Sequence, residues 1–324
     1  MIRIEDLTFT YPGASKPSLK HVRLHVEKGD FLAVIGNNGC GKSTLCKTLN
    51  GLIPHFITGD MEGRVLIDGL DTAEQDVGDL ARKVGYVYQD FENQIVRPTV
   101  LDDASFACLN YAMDEYKERG RRALSMCGLR EKENDFIWQL SGGQKHLLAL
   151  SGALALEPEV LILDEPIAQL DPFHARQTYE ILKKLNQEYG KTIIVIEHHT
   201  EYIAQYCKNA VLMRDGEILW KLPAREALRQ VEDLEESNIF PPQVTSAAWI
   251  LKKKGILSQN VQLPTTVDEG REVFSPCRFW PSVRRNQEEK QKGETMVDLE
   301  NIRAGYRAVK GENRPIFDGF SLKI

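Results

Sequence analysis

The opening residues of the chain, MIRIEDLTFTY (residues 1–11), alternate apolar and polar side chains. A strand with one buried face shows this period of two. The stretch ASKPS then turns the chain, and LKHVRLHV (residues 19–26) alternates in the same way. Together the two runs predict an antiparallel pair of strands at the start of the fold.

Three later segments begin with unbroken apolar runs: FLAVIG (31–36), VLILDEP (160–166) and TIIVIEH (192–198). Continuous apolar strands are typical of a parallel sheet that is covered on both faces. Residues 100–150 lack such runs and predict helices instead. We therefore expect an α/β fold with a mostly parallel sheet, an N-terminal antiparallel β-subdomain and a helical subdomain inserted over about residues 91–157.

The composition fits a globular protein and limits its partners. Among 324 residues, 42% are hydrophobic, and 41 Lys and Arg face 47 Asp and Glu, for a net charge of -6. This balance gives no excess of positive charge of the kind that binds nucleic acid. No stretch reaches the ~18 consecutive apolar residues that a membrane-spanning helix needs. The scattered cysteines form no C-x-x-C pair, so we expect a cytosolic chain without a zinc site or a disulfide framework.

The C-terminal part of the chain has a different character. Regular periods fade between about Ser258 and Thr295, and RRNQEEKQKGE (284–294) is a charged run that favours solvent over packing. The expected division is a main domain over 1–231, an extension with a polar linker over 232–295, and a separate segment over 296–324.

That last segment resembles the first. MVDLENIRAGY (296–306) matches residues 1–11 at a constant offset, and FSLKI (320–324) echoes VRLHV (22–26). The match predicts the start of a second, incomplete copy of the main domain, and hence a tandem protein of which this chain is a truncated form or a fragment. A chance resemblance between two alternating strands is the alternative.

A phosphate-binding pattern, G-x-x-x-x-G-K-[ST], follows the run FLAVI and opens a helix that we expect from Lys42 to Leu52. Its glycines let backbone N–H groups approach phosphate oxygens at the positive end of that helix. We expect Lys42 to neutralise the β- and γ-phosphates of ATP and Ser43 to ligate Mg²⁺; a glycine-rich turn without a ligand is the alternative. The expected ATP contacts here are Gly36, Asn37, Asn38, Gly39, Cys40, Gly41, Lys42, Ser43 and Thr44.

Two adjacent carboxylates, Asp164 and Glu165, end the run VLIL. The carboxyl ends of parallel strands form the crevice in which ligands bind. Phosphoryl transfer needs mainly positioning and charge stabilisation. We expect Asp164 to hold Mg²⁺ through water and Glu165 to orient or deprotonate the attacking water. Acids that merely mark a strand end are the alternative.

A second anion-binding device is Ser141-Gly142-Gly143-Gln144, called the signature below, which precedes the helical run KHLLALSGALAL. A serine and two glycines at a helix N-terminus can bind phosphate, or can simply cap the helix. One chain does not need two such devices for one nucleotide. Its place between the phosphate loop and the acidic pair favours binding over capping alone.

Together these motifs resemble the ATPase family of ABC transporters, and within it the ATPases of energy-coupling-factor importers, from Met1 to about Gly255. The resemblance implies a P-loop NTPase core. It also implies that the signature contacts the γ-phosphate of ATP bound to a partner domain, so that two domains enclose two ATP molecules. The repeat at Met296, or a dimer, would supply that partner.

The resemblance assigns roles to further residues. Tyr11 matches the aromatic that stacks on adenine, and Gln89 matches the glutamine that touches Mg²⁺ and senses the transmembrane subunit. Asp171 matches the loop that communicates between the two sites. His198 matches the histidine that contacts the γ-phosphate, although His199 follows directly and only register favours His198. The expected catalytic residues are thus Lys42, Glu165 and His198.

The closer resemblance to energy-coupling-factor ATPases rests on three segments: Glu92-Asn93-Gln94, LNGLIP (49–54) and PPQVTSAAWIL (241–251). Two segments depart from the family. Phe91 stands where proline is usual, and Lys145-His146-Leu147 lacks the arginine that usually follows the signature. Neither departure removes a residue with an expected catalytic role.

The resemblance implies an ATP-hydrolysing subunit at the cytoplasmic face of the membrane that drives transmembrane subunits supplied by other proteins. The transported solute is left open among cobalt, nickel, thiamine and riboflavin. A soluble ABC ATPase of translation or DNA repair is an alternative, but the sequence has neither a basic surface nor a long heptad insertion. A regulatory half that binds ATP without turning it over is another alternative.

Overall fold

The computed structural model describes residues 1–275, 296–306 and 314–323. The chain divides into two compact units, Met1–Pro276 and Cys277–Ile324. The strands of the described residues are β1 (Ile2–Thr10), β2 (Leu19–Val26), β3 (Phe31–Ile35), β4 (Asp60–Ile67), β5 (Leu70–Asp71), β6 (Val84–Val87), β7 (Val160–Asp164), β8 (Thr192–Ile196), β9 (Asn209–Arg214), β10 (Glu217–Pro223), β11 (Asp298–Tyr306) and β12 (Arg314–Lys323).

The helices of the described residues all lie in the first unit. They are α1 (Lys42–Leu49), α2 (Leu52–His55), α3 (Val77–Ala81), α4 (Val100–Ala104), α5 (Phe106–Asn110), α6 (Tyr116–Met126), α7 (Gly142–Leu154), α8 (Pro172–Gln187), α9 (Thr200–Tyr206), α10 (Ala224–Ala227), α11 (Val231–Glu236), α12 (Gln243–Lys253) and α13 (Val267–Phe274).

Two sheets organise the first unit. An antiparallel sheet has the strand order β2-β1-β4-β5, and a larger sheet has the order β10-β9-β3-β8-β7-β6. Strands β9, β3, β8, β7 and β6 are parallel, and β10 joins the edge in antiparallel orientation. The α/β fold class with an N-terminal antiparallel subdomain is confirmed, and helices α4 to α7 occupy the expected helical insert.

The unbroken apolar runs are explained by cover on both faces of the larger sheet. Along β3, Phe31, Ala33 and Ile35 pack into one hydrophobic cluster, whereas Leu32 and Val34 pack into another. All five side chains are almost fully buried. A strand that buries both faces has no polar alternation, as the sequence of β3 predicts.

Helix α1 ends earlier than the sequence predicts. We expected it to reach Leu52, but it ends at Leu49, with Asn50 as its C-cap. Gly51 then adopts a left-handed backbone with φ of 75°. A glycine in this conformation terminates a helix without the steric cost that another residue would have. The periodic apolar positions continue across this break, so the end of α1 that they predicted was wrong.

Helix α13 lies in the stretch where we expected an irregular linker. Thr266 caps it by accepting a hydrogen bond from the backbone N–H of Glu269. The Glu269 carboxylate in turn accepts from the Thr265 backbone N–H at 2.7 Å and the Thr265 hydroxyl at 3.1 Å. A Cβ on Gly270 would lie 2.9 Å from the Val244 side chain, so α13 packs closely on α12. The Thr266 cap, with Glu269 three residues later, marks the start of this helix.

The first compact unit thus extends beyond residue 231 and includes helices α11, α12 and α13. The charged run at 284–294 and Cys277 lie outside the described residues. The expected boundary at residue 231 therefore stays a prediction. Helices α12 and α13, which lie beyond that boundary, are folded parts of the first unit.

The second unit contains a hairpin that copies the first hairpin in its backbone. One residue extra on the first strand makes a bulge in each copy. The pairs that flank the bulge are Ile4 with Leu24 and Leu7 with Val22 in the first copy, and Leu299 with Leu322 and Ile302 with Phe320 in the second. Inside the bulge, Asp6 and Asn301 are both left-handed, with φ of 52° and 50°. Alternation alone does not require a shared bulge, so this feature favours a true repeat over chance.

A buried amide joins helix α8 to two strands. The Asn186 Nδ2 atom donates to the carbonyl oxygens of Gly29 at 3.0 Å, Asp30 at 3.2 Å and Lys191 at 2.8 Å. These carbonyls precede β3 and β8, at the amino ends of the parallel strands. Asn186 is thus a structural residue at the amino ends of the strands, whereas the phosphate loop lies at their carboxyl ends.

We expect Asn186→Ala to lower the free energy of unfolding by about 1–3 kcal/mol, because it removes a buried amide that donates to three carbonyl groups at the starts of two strands. Urea denaturation measures the change. The neighbouring exposed residue provides the control, since Gln187→Ala should change stability by less than about 0.5 kcal/mol. Equal midpoints for the two variants would contradict the structural role of the amide.

Candidate functional site

Three parallel strands bring the expected site residues together at their carboxyl ends, on one side of the larger sheet. The loop Gly36–Ser43, called the phosphate loop below, follows β3, the pair Asp164 and Glu165 ends β7, and His198 follows β8. A cleft opens at this edge. Its lining residues are Tyr11, Ser18, Asn38, Gly39, Gly41, Lys42, Ser43, Thr44, Gln89 and Glu165.

Two glycines of the phosphate loop are required by close backbone contacts. A Cβ on Gly36 would lie 2.2 Å from the Met213 carbonyl oxygen, and one on Gly41 would lie 2.6 Å from the Ser18 carbonyl oxygen. Both residues have positive φ, at 149° and 107°. Cys40 is buried beside Gly36, and burial raises the pKa of its thiol. The cysteine therefore fills space and is not a reactive thiol.

Lys42 is the first residue of α1, and its ammonium group points back into the phosphate loop. Its Nζ atom donates to the carbonyl oxygens of Gly36 at 2.7 Å and Asn37 at 2.9 Å. The side chain is only 6% exposed. On the other side of the cleft, the Tyr11 hydroxyl lies 3.1 Å from the Thr44 hydroxyl. This contact holds the Tyr11 ring next to the loop, where an aromatic ring can stack on a base.

Asp164 is a buried carboxylate with two hydroxyl partners. The Tyr86 hydroxyl donates to its Oδ2 atom at 3.2 Å, and the Ser43 hydroxyl also bonds to the carboxylate. Burial raises the pKa of Asp164, and these two hydrogen bonds oppose that effect. A carboxylate and a hydroxyl are oxygen ligands of the kind that Mg²⁺ prefers. A cation at this position would also offset the cost of burying the negative charge.

Glu165 has a polar side chain on each of two sides. The Gln89 Nε2 atom donates to its Oε2 atom at 2.7 Å, and the His198 Nε2 atom lies 3.2 Å from its Oε1 atom. The backbone of Glu165 is left-handed, with φ of 50°. A non-glycine residue in this region is strained, and such strain concentrates at functional sites.

The structure places His198, rather than His199, beside Glu165. The His198 Nε2 atom is buried and has no hydrogen-bond partner with suitable geometry among the described residues. It lines a second cleft, next to the first, together with Asn37, Asn38, Glu165 and Asn238. His199 instead precedes α9, and its ring packs edge-on to Tyr202. The ring of His198 is thus directed towards the phosphate loop.

The signature forms a complete cap on α7. The Ser141 hydroxyl accepts from the Gln144 backbone N–H at 3.3 Å, and the Gln144 side-chain oxygen accepts from the Ser141 backbone N–H at 3.1 Å. This is a capping box, as one of the two interpretations of the sequence predicts. The structure does not bring Ser141 to Gln144 into either of the two clefts, whose described lining residues come from other segments.

Within the chain, the signature packs against the loop of Asp171. A Cβ on Gly143 would lie 2.5 Å from the His174 ring. Asp171 caps α8 by accepting from the backbone N–H groups of Phe173 at 2.9 Å and His174 at 3.2 Å, and it also bonds to the His174 ring. That ring contact is the main cause of the lowered pKa of Asp171. Gly143 is therefore required by packing as well as by its place in the signature.

Sequence reasoning missed three residues of the site. Tyr86 supports Asp164, and Asn238 reaches the second cleft from the extension after α11. Nothing in the local sequence marks Asn238, because its position depends on how the extension folds back. Glu197 is different, since a charged residue at the end of the apolar run TIIVI, directly before the two histidines, is a visible signal.

Comparisons with known proteins agree on one family. The family profile described as ABC transporter matches residues 19–168. A relative in Pyrococcus horikoshii, provisionally named an ABC transporter ATP-binding protein, is 39% identical over 276 residues, which cover 85% of this chain and 96% of that relative. An energy-coupling factor transporter ATP-binding protein of Clostridium perfringens is 36% identical over 263 residues, which cover 79% of this chain and 92% of that protein.

A third relative is longer than this chain. A provisionally named ABC transporter ATP-binding protein of Methanosarcina mazei is 36% identical over 100% of this chain, but the match covers only 56% of that relative.

Two solved structures have the same fold. The cbiO1 protein of Clostridium perfringens, described as part of the ABC transporter complex cbiONQ, has a TM-score of 0.65 at 30% identity, covering 78% of this chain and 98% of that one. A dimeric ATP-binding cassette in a post-hydrolysis state with ADP and Pi has a TM-score of 0.60 at 30% identity, covering 69% of this chain and 99% of that one.

One residue behind the signature is buried without a polar partner. His146 is 1% exposed, and neither of its ring nitrogens has a hydrogen-bond partner among the described residues. Its ring packs edge-on to Phe91 with centroids 5.1 Å apart. Burial lowers the pKa of His146 to about 4. Phe91, one departure from the family pattern, thus contacts a residue of the other, the segment Lys145-His146-Leu147.

This lowered pKa predicts a loss of stability in acid. As the pH falls below the ordinary histidine value of about 6.5, the unfolded chain gains a proton that the folded chain excludes. Between pH 7 and pH 4.5, the free energy of unfolding should fall by about 2–3 kcal/mol more in the wild type than in His146→Leu. Urea denaturation at both pH values measures this difference, and parallel losses in the two proteins would show that His146 is not buried as a neutral ring.

Proposed function

This chain belongs to the ATP-binding, ATP-hydrolysing proteins of ABC transporters, and we propose that it powers a membrane importer of the energy-coupling-factor type. The observation that carries the proposal is the arrangement of Glu165 between Gln89 and His198, at the mouth of the phosphate loop. It gives hydrolysis a water-orienting carboxylate and ties that carboxylate to the segment that follows Gln89. The similarity to the energy-coupling factor transporter ATP-binding protein and to cbiO1, both of Clostridium perfringens, supports the subtype.

The residues of the cleft divide the work of hydrolysis. Lys42 and the backbone N–H groups of the phosphate loop bind and orient the phosphates, and Tyr11 stacks on the base. Ser43, Asp164 and the side-chain oxygen of Gln89 would hold Mg²⁺, which neutralises charge on the phosphate oxygens when bound.

Two further residues act on the reacting groups. Glu165 orients the attacking water and accepts its proton, and the unpartnered Nε2 atom of His198 donates to the γ-phosphate. Glu165 and His198 lie side by side at the phosphate loop, and this arrangement favours an active site over a regulatory half that only binds ATP.

A second ABC domain completes the site. The signature lies outside the clefts of its own chain and would contact ATP bound to a partner domain. The longer relative in Methanosarcina mazei and the repeated hairpin support a tandem partner, and a dimer is the other source. In the repeated hairpin, Ile302, Phe320 and Leu322 are 36%, 38% and 40% exposed, whereas Leu7, Val22 and Leu24 of the first copy are at most 6% exposed. The second hairpin thus has an apolar face of the kind that a domain core covers.

A groove lies where we expect a transmembrane subunit to dock. It lies between the larger sheet and the helical insert, and residues Asn50, Leu52, Gln94, Ala107 and Ala153 are among its lining. The Gln94 amide bonds to the backbone at the end of β6: its oxygen accepts from the Tyr88 N–H at 2.7 Å, and its nitrogen donates to the Tyr86 carbonyl at 3.0 Å.

The groove and the catalytic carboxylate are therefore linked by one short segment, which runs from Gln89 to Gln94. We assign this groove to a short helix of the transmembrane subunit. None of the described helices could itself cross a bilayer as an apolar span. The chain would work as a peripheral subunit at the cytoplasmic face of the membrane.

Two substitutions separate ATP binding from hydrolysis. Glu165→Gln should lower kcat at least about 100-fold while it retains ATP, because the amide keeps the shape of the side chain but cannot accept the proton. Lys42→Ala should instead abolish ATP binding. Calorimetry with ATP and a phosphate-release assay measure the two effects. Near-normal hydrolysis by Glu165→Gln would contradict its role as base, and undiminished affinity of Lys42→Ala would contradict the phosphate-loop assignment.

A third substitution tests the groove. Ala107→Arg should release the chain from membranes of the cells that encode it, because a long charged side chain blocks the groove, while ATP affinity stays unchanged. Ala247→Arg is the matched control, since Ala247 is exposed on α12 outside the groove. Sedimentation with membranes followed by immunoblotting measures retention. Equal retention of both variants would contradict the docking assignment.

A further inference from the structure

Glu197 is a buried carboxylate between the end of β8 and His198. It is 2% exposed and accepts three hydrogen bonds. The Oε1 atom accepts from the backbone N–H groups of His198 at 2.8 Å and His199 at 2.9 Å. The Oε2 atom accepts from the Tyr179 hydroxyl at 2.7 Å. The carboxylate therefore fixes two successive peptide groups in the loop that carries His198.

The burial of this group needs an explanation beyond packing. A buried carboxylate loses its hydration, and burial raises the pKa of Glu197 while the three hydrogen bonds lower it. The residues of β8 that share a face with Glu197, Ile193 and Val195, are apolar and buried in the same cluster as Tyr179. An apolar residue at 197 would fit the same core but would leave the N–H groups of His198 and His199 without their acceptor. The hydrogen-bonding capacity of Glu197 is thus what distinguishes it from its neighbours.

We propose that Glu197 is a positioning residue that holds His198 in its working orientation; this inference rests on the proposed function of His198. The chain turns immediately after β8, and the two N–H contacts decide the direction of that turn. They place the His198 Nε2 atom 3.2 Å from Glu165 and leave the His199 ring against Tyr202. Glu197 thereby selects which of two adjacent histidines enters the site.

The other contact of Glu197 extends this positioning to helix α8. Tyr179, which is fully buried, lies two turns after the N-terminus of that helix, where Asp171 forms the cap. The loop that carries His198 is also held from outside, because the Thr200 hydroxyl donates to the Phe240 carbonyl at 2.9 Å. Glu197 is therefore the inner anchor of the His198 loop, and its partner Tyr179 belongs to the helix that packs against the signature.

A double-substitution cycle with His198→Ala tests the proposal in the full chain. We expect Glu197→Ala to lower kcat for ATP hydrolysis about tenfold, with the Kd for ATP changed less than about twofold, because the phosphate loop on β3 is untouched. In a chain that already carries His198→Ala, adding Glu197→Ala should lower kcat no further. Glu197→Gln should recover most of the activity, since its amide can accept from both N–H groups and donate to the Tyr179 oxygen.

Two more variants separate positioning from general stability. Tyr179→Phe removes one hydroxyl and leaves the two N–H contacts, so it should fold as the wild type does and lower kcat only when His198 is present. Asn186→Ala removes a comparably buried polar group at the opposite edge of the sheet. Any effect of Asn186→Ala on kcat should be the same with and without His198, which is the behaviour of a purely structural residue.

The outcomes distinguish the inference from the function on which it rests. If Glu197→Ala and Tyr179→Phe lower kcat by the same factor with and without His198, the positioning role is overturned while the function of His198 stands. If His198→Ala alone leaves kcat unchanged, the proposed function of His198 is overturned instead. Equal kcat of Glu197→Gln and Glu197→Ala would also overturn the inference, because the hydrogen-bond geometry would then not matter.

Discussion

The register of three parallel strands is the constraint on which the site depends. Ile196 of β8 pairs with Val34 of β3 on one side and with Asp164 of β7 on the other. These three residues lie in one line across the sheet, and the phosphate loop, Glu165 and His198 begin within two residues of that line. A shift of a single residue in either pairing would turn the side chains to the other face of the sheet. The unbroken apolar strands, buried on both sides, therefore secure the chemistry as well as the core.

Much of this arrangement follows from the sequence because it is local. Alternation locates β1 and β2, and the glycine pattern locates the phosphate loop. Two other features have local signals that an apolar period does not contain: a left-handed Gly51 follows the end of α1, and Glu269 follows the N-cap Thr266 of α13 by three residues. Asn238, by contrast, enters the second cleft only because the extension folds back. Which of the adjacent residues His198 and His199 faces the site is decided only by the direction of the backbone after β8.

Helix α8 connects two parts of the chain that serve different nucleotides under the proposed function. Its N-terminus carries Asp171 and His174, and His174 contacts the signature glycine Gly143. Two turns later, Tyr179 bonds to Glu197 beside the residues that act on the chain's own ATP. A helix is stiff along its axis, so a displacement of the signature by a partner's nucleotide has a short rigid route to the opposite site. The contacts supply the route, and its use depends on the presence of a second domain.

The repeated hairpin gives the chain two segments that could compete for one place in the antiparallel sheet during folding. Strands β1 and β11 share a register and a bulge, so backbone hydrogen bonding alone would accept either of them beside β4. Side-chain volume decides between them. The ring of Phe9 lies 2.7 Å from the position of a Cβ on Gly59, whereas the corresponding residue of the second copy is Ala304. An exchange would leave a ring-sized cavity, which costs about 3–5 kcal/mol, and this difference protects the first domain from its own duplicate.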